Sequence, residues 1–316
     1  MEPQQWKELK KLRHGCEGVK MVLKTLAYTL RNPGLLKVVS KFSNAMLKFN
    51  EFKYREEIEK NKEAYLEKEK RVLDAITMRR EPDRVPIAAG GLNFFPAKYC
   101  NISCAEYMYD HDQMKKAFLK TNDDFNFDLT FPSFMLSMGK LMTAAGMNLI
   151  KIPGRDLKAN SCYQYNEYER LKSEEYGEFL ERGVEFLIDT ITPRVSSIFS
   201  MPLKERLGYL GRVLMELMNF VGMANDVMVE LKKRGHYNLM TGVAFPPFDI
   251  MSFVFRDLTG LTRDMMKKAT RTQLQELIQR IEPWLTPILS ALPQMNGSRG
   301  IFFPSERAFS LSPRQF

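Results

Sequence analysis

Histidine is almost missing from this sequence: His14, His111 and His236 are the only three in 316 residues. The four cysteines, Cys16, Cys100, Cys104 and Cys162, are scattered, so local spacing offers no dense His/Cys metal cluster. Nor do four cysteines in so long a chain make a disulfide framework, and reduced thiols in a cytoplasm are expected. There is no run of about 18 uncharged apolar residues, so no transmembrane helix is expected. The N-terminus, Met1-Glu2-Pro3-Gln4-Gln5-Trp6-Lys7, lacks the apolar core of a secretory signal. Internal repeats and low-complexity tracts are also missing.

What is present is ordinary for a globular protein: 44% hydrophobic and 27% charged residues. The net charge of +9 is uneven, with ten Lys/Arg against three Glu in residues 1–50 and near balance afterwards. Such a segment could approach nucleic acid or an anionic membrane. A solvated helix face is the plainer expectation, and nucleic acid is not expected as a partner.

Apolar spacing predicts helices over 4–30, 35–48 and 52–80, with Asn32-Pro33-Gly34 as a break and Pro82 as a stop. The texture then changes. Short apolar runs at 85–89, 127–131, 238–244 and 300–303 read as buried strands. A further short run at 149–152 reads as an excursion. Helical stretches are predicted near 104–122, 173–190, 203–233 and 262–280. In 203–233 the residues Leu207, Leu210, Leu214, Met218 and Val221 form the apolar stripe, with the methionines as core filler. Strands alternating with helices predict an α/β fold with a mostly parallel sheet.

Three stretches carry a resemblance. Arg71–Pro86 (RVLDAITMRREPDRVP) resembles the opening of the uroporphyrinogen decarboxylase superfamily barrel. Gly242–Ser252 (GVAFPPFDIMS) resembles that family's third-strand motif. Ile150–Arg155 (IKIPGR) with Tyr163-Gln164-Tyr165 is similar to the branch near corrinoid-dependent methyltransferases. The resemblance spans residues 70–316 and leaves 1–69 as a basic helical N-terminal extension. It implies a TIM-like (β/α) barrel with its site at the C-terminal strand ends. Family barrels have eight strands, and about four can be counted here. Ser312-Pro313 reads as a helix start, so the chain is expected to be the N-terminal half of such a barrel, inactive by itself. Open sheet edges would make it prone to aggregate, to form a homo-oligomer or to pair with a second-half chain.

The resemblance implies two chemistries. The decarboxylase branch grips a polycarboxylate porphyrinogen with arginines after the first strand and an aspartate after the second. Here Gly90–Pro96 (GGLNFFP) has no arginine, Ser133 stands where the aspartate is expected, and Phe253 stands where the family has tyrosine. These departures weaken decarboxylation, since many carboxylates need compensating cations. The methyltransferase branch implies zinc, held by a His-x-Cys pair and a distant Cys on late strands, and a corrinoid protein as partner. His14-Gly15-Cys16 has the spacing but lies in the extension, and Cys100 and Cys104 have no partner His. No metal ligand is therefore assigned in this chain.

What remains are candidate substrate-binding groups: Asn93, Phe94, Phe95, Ser133, Phe245, Phe248, Asp249, Phe253, Glu306 and Arg307. Asp249 follows an apolar strand and two prolines; it orients substrate or caps a helix. Glu306-Arg307 grips an anion or forms a surface ion pair. Phe94, Phe95, Phe245 and Phe248 make an aromatic rim for a large planar ligand, such as a tetrapyrrole-like molecule, or fill the barrel. Three functions stay open: methyl transfer, decarboxylation with an altered pocket, and non-catalytic binding.

Overall fold

The computed structural model describes residues 33–88, 94–131, 138–243, 245–296, 300–307 and 311. Helix dominates them. Helices α1 (Pro33–Lys53), α2 (Arg55–Lys60) and α3 (Lys62–Thr77) follow one another with breaks at Tyr54 and Asn61. Pro33 opens α1, where its fixed φ and missing N–H cost nothing, so the predicted breaker is a helix start. α3 stops ahead of Pro82, at Met78, which takes the left-handed conformation with φ 50°. The predicted helix 4–30 lies outside the described residues.

After a short helix α4 (Phe95–Tyr99), the helical stretch predicted near 104–122 is two elements, α5 (Cys104–Tyr109) and α6 (His111–Phe125). Local capping chemistry divides the two. Ser103 and Glu106 form a capping box at the start of α5. The Asp110 carboxylate accepts the N–H groups of Asp112 and Gln113 at 3.0 Å, which starts α6 afresh. After α7 (Gly139–Ala144), β1 (Ile150–Lys151) and β2 (Gln164–Tyr165) pair antiparallel in a small excursion of their own.

The segment predicted as one helix near 173–190 holds α8 (Tyr176–Arg182) and α9 (Val184–Phe186), which runs through a π turn (Leu187–Ile191) into α10 (Thr192–Val195). Next comes α11 (Leu203–Lys233), and then β3 (Met240–Val243). Beyond β3 lie α12 (Pro247–Ile250), a π turn (Met251–Phe255), α13 (Leu258–Met266) and α14 (Lys268–Asn296); β4 (Gly300–Phe302) follows.

Four segments meet side by side in chain order. Ala88 and Leu129 form a parallel bridge. The Thr130 N–H donates to the Tyr237 carbonyl at 2.9 Å. β3 and β4 pair in parallel, Gly242 opposite Ile301 and Val243 opposite Phe302. The first two are single bridges rather than the strands predicted: Pro86 has no N–H to give, and the N–H groups of both Asp128 and Leu129 converge on the Ile87 carbonyl. The α/β expectation is thereby shifted towards helix, with few strands and no closed barrel among the described residues.

Two large apolar cores hold the helices. Tyr107, Met114, Phe118, Ile152, Val227 and Leu231 form the first. Tyr176, Phe179, Phe186, Met251, Leu261 and Leu277 form the second. A small third cluster, Val72, Leu129 and Tyr237, seats α3 on the parallel segments. α3 runs unbroken through residue 69. Gly235 (φ +71°) brings the chain out of α11 so close to α3 that a Cβ would sit 3.1 Å from the Asn61 carbonyl.

The predicted core stripe of α11 needs correction. Leu207, Leu214, Met215 and Met218 are 57–64% or 51% exposed, and no described residue covers them. Only the C-terminal half, with Met223, Val227 and Met228, is buried. Amphipathic spacing marks a face that can be buried without saying that anything lies against it. Among the described residues no helix is long and apolar enough to cross a membrane.

Candidate site at the exit of the parallel strands

β3 and β4 both deliver a proline-containing turn at their C-terminal ends. Pro246 and Pro247 aim the chain into α12, and Asp249 falls in its first turn. It does not cap the helix. Its side chain is fully buried, and Oδ1 accepts the backbone N–H of Arg307 at 2.8 Å, joining the two strand exits. Oδ2 has no hydrogen-bond partner. One helical turn on, Ser252 is buried and its hydroxyl is also unpartnered. A buried polar atom without a partner costs about 1–3 kcal/mol, so two in one turn need a reason. Ser252 and Phe253 sit in the π turn closed by the Arg256 N–H on the Met251 carbonyl at 2.7 Å. Such turns recur at functional sites.

A row of aromatic rings begins at Phe253, the residue after Ser252. Phe253 stacks on Tyr165 with centroids 4.1 Å apart, and Phe245 meets Phe253 edge-on at 5.2 Å. Tyr163 follows Tyr165 at 5.9 Å, and Phe94 follows Tyr163 at 6.2 Å. The Arg307 guanidinium lies over Phe253 at 4.9 Å and Tyr165 at 5.4 Å, and pairs with Glu167. Burial, together with the charge of Glu306, raises the phenol pKa values of Tyr163 and Tyr165, so both remain hydrogen-bond donors at neutral pH.

Of the ten candidates from sequence, Asn93 and Ser133 lie outside the described residues. Phe245, Asp249, Phe253, Glu306 and Arg307 come together, with Phe94 at the far end of the row. The four-phenylalanine rim is not formed as expected. Phe95 turns away, 42% exposed, onto Tyr99 and Phe125, and Phe248 packs against the second core. Glu167 escapes the sequence reading, and Ser252, Tyr163 and Tyr165 enter it only through the resemblance. An Asp and a Ser three apart after a proline pair was the available signal for Ser252.

The opposite end of the same segments carries charge, fully paired. Asp128 is completely buried. It accepts Arg71 at 2.7 Å, both amino groups of Arg84 at 2.6 and 2.7 Å, and the Ile87 N–H at 2.8 Å. Burial opposes its ionisation, but Ile87, Arg84 and Arg71 outweigh that and hold the carboxyl below its ordinary value. Nearby, Lys68 donates to Asn126 at 2.6 Å and meets His236 Nδ1 at 3.2 Å, while His236 Nε2 faces Asp123 at 2.8 Å. Burial lowers the pKa of both Lys68 and His236.

Neither a protein-family model, nor a curated protein, nor a solved structure matches this chain.

Proposed function

We propose that the chain is a uroporphyrinogen decarboxylase-like protein of the corrinoid-dependent methyl-transfer branch, and that the exit of β3 and β4 binds a large flat ring of the tetrapyrrole class. Asp249 carries this reading. It is a buried carboxylate behind stacked rings, one oxygen committed to the backbone and the other free to accept an N–H from a ligand. The side-by-side order of the four segments, which is that of consecutive strands, supports a (β/α) barrel. In such barrels the site lies where Asp249, Glu306 and Arg307 lie, just past the C-terminal ends of strands.

The residues bind and orient. A planar ring takes the place of the Arg307 guanidinium on the Tyr165–Phe253 face, and Arg307, released from its exposed partner Glu167, donates to a peripheral side-chain oxygen, an amide carbonyl on a corrinoid or a carboxylate on a porphyrin. Ser252 and Asp249 supply the polar contacts beneath. The methyl-transfer branch implies zinc. Among the described residues no three His, Cys, Asp or Glu side chains converge to hold an ion, so the described residues do not fit it and no step is assigned to it.

The test is a titration of the whole chain with hydroxocobalamin as corrinoid probe and coproporphyrin as tetrapyrrole probe, followed by absorbance. Saturable corrinoid binding is expected, weakened about tenfold or more, or roughly 1.4 kcal/mol, in Asp249→Asn and Phe253→Leu. Binding of the porphyrin alone favours decarboxylation instead. If neither binds, or if both variants bind like the parent, the reading fails.

A further inference from the structure

The outer end of the aromatic row adjoins a pair of cysteines. Cys104 opens α5 with its side chain buried, and its thiol donates to the Asn160 carbonyl at 3.6 Å. The next N–H, of Ala105, donates to the Ala159 carbonyl at 2.9 Å. These two bonds lay residues 159–160 along the first turn of α5. They bring the exposed Cys162 to the same cleft wall as Cys104. Both cysteines line one cleft of about 700 Å³, together with Phe94, Lys98 and Glu106. The third described cysteine, Cys100, is engaged elsewhere, with its thiol on the Ala117 carbonyl at 3.7 Å.

We propose that Cys104 and Cys162 form a redox-active dithiol, which a low-molecular-weight disulfide oxidises to an intramolecular disulfide across this cleft. Cys162, the accessible thiol, gives up its proton and attacks one sulfur of the oxidant RSSR. A mixed disulfide forms and the first RS⁻ leaves. Cys104 then gives up its proton and attacks the Cys162 sulfur; the protein disulfide forms and the second RS⁻ leaves. Two protein thiols are oxidised, one RSSR is reduced, and the two released protons complete two RSH. Exposure fixes this order. Burial raises the Cys104 thiol pKa, so it is a poor first nucleophile but is held in place to resolve the mixed disulfide.

Cys162 is bonded directly to Tyr163, and Phe94, which lines the same cleft, packs on Tyr163. Closing the disulfide therefore pins the outer end of the aromatic row that leads to Asp249. That consequence rests on the ligand-site reading above; the disulfide itself does not.

The experiment equilibrates the reduced full chain with oxidised glutathione, counts thiols after denaturation and maps cross-linked peptides. The expected result is loss of two of the four thiols, one 104–162 cross-link, and full reversal by dithiothreitol. Cys100→Ser leaves the cross-link intact and Cys162→Ser abolishes it. Phenylarsine oxide, which bridges two adjacent thiols, is retained by the parent chain and by Cys100→Ser but lost from Cys162→Ser. A glutathione adduct on Cys162 that never resolves, a cross-link to Cys100 or Cys16, or four surviving thiols overturns the proposal. Tetrapyrrole binding is not needed for any of these readouts, so failure of the ligand site would leave them unchanged.

Discussion

Asp128 and Asp249 are both completely buried carboxylates beside the same parallel segments, one at each end. Asp128 accepts from two arginines and a backbone N–H, while Asp249 accepts one backbone N–H and leaves an oxygen bare. Around Asp128 the neighbours are also paired: Arg71 reaches Asp83 as well, and Lys68, His236 and Asp123 form a linked chain. Around Asp249 the hydroxyl of Ser252 is bare too, beneath an arginine whose carboxylate partner is exposed. Burial is equal, so burial alone does not separate the two ends; satisfaction of the buried atoms does. A fully satisfied network fixes structure, while unsatisfied groups are kept where a ligand completes them.

The largest effect is expected at the satisfied end. Asp128→Asn leaves two guanidiniums without their shared anion and should cost about 3–5 kcal/mol in urea unfolding. A loss under 1 kcal/mol would erase the contrast, because Asp128 would then carry no more than an ordinary surface pair.

Acid should act on the same end, in two stages. The Asp128 carboxyl is held below its ordinary value, so its contribution is complete above the unfolded pKa of about 3.9 and fades as pH falls through the lower folded value. His236 is likewise depressed by burial, so its contribution is complete above about 6.5 and fades as pH falls. Melting temperature should therefore decline gently below about pH 6.5 and steeply below about pH 4, and Asp128→Asn should flatten only the steep limb.

Smaller effects sharpen the other side. Ser252→Ala removes a hydroxyl that has no partner, so stability should change by less than about 1 kcal/mol or rise. Leu214→Gln or Met218→Gln, on the exposed half of α11, should change it by about 0.5 kcal/mol or less. A core position would lose about 2–5 kcal/mol, which is what the sequence stripe implied and what urea titration distinguishes.

How far the fold was legible depends on the element. The apolar run before Phe245 and the short Gly300–Phe302 run announced β3 and β4, because a buried strand needs continuous apolar residues. The segments at Ala88 and Leu129 looked like full strands, but prolines and converging bonds on Ile87 cut them to bridges. Asp249 was legible from the prolines ahead of it, though its bond to the Arg307 N–H, 58 residues away, was not. The stacking of Tyr165 on Phe253 is equally long-range, and aromatic residues carry no local signature of the ring they will meet. The amphipathic spacing of α11 is legible, whereas the described residues leave Leu207, Leu214 and Met218 of its stripe exposed.

The contrast between the two ends is tested most directly at Asp249 itself, by measuring Asp249→Asn for urea stability and for hydroxocobalamin binding in the same preparation. The amide keeps an acceptor for the Arg307 N–H and replaces the oxygen that lacks a partner. Stability should stay within about 1 kcal/mol of the parent or rise, while binding falls about tenfold or more. A loss of several kcal/mol with binding unchanged would contradict the account, and would make Asp249 a structural counterpart of Asp128.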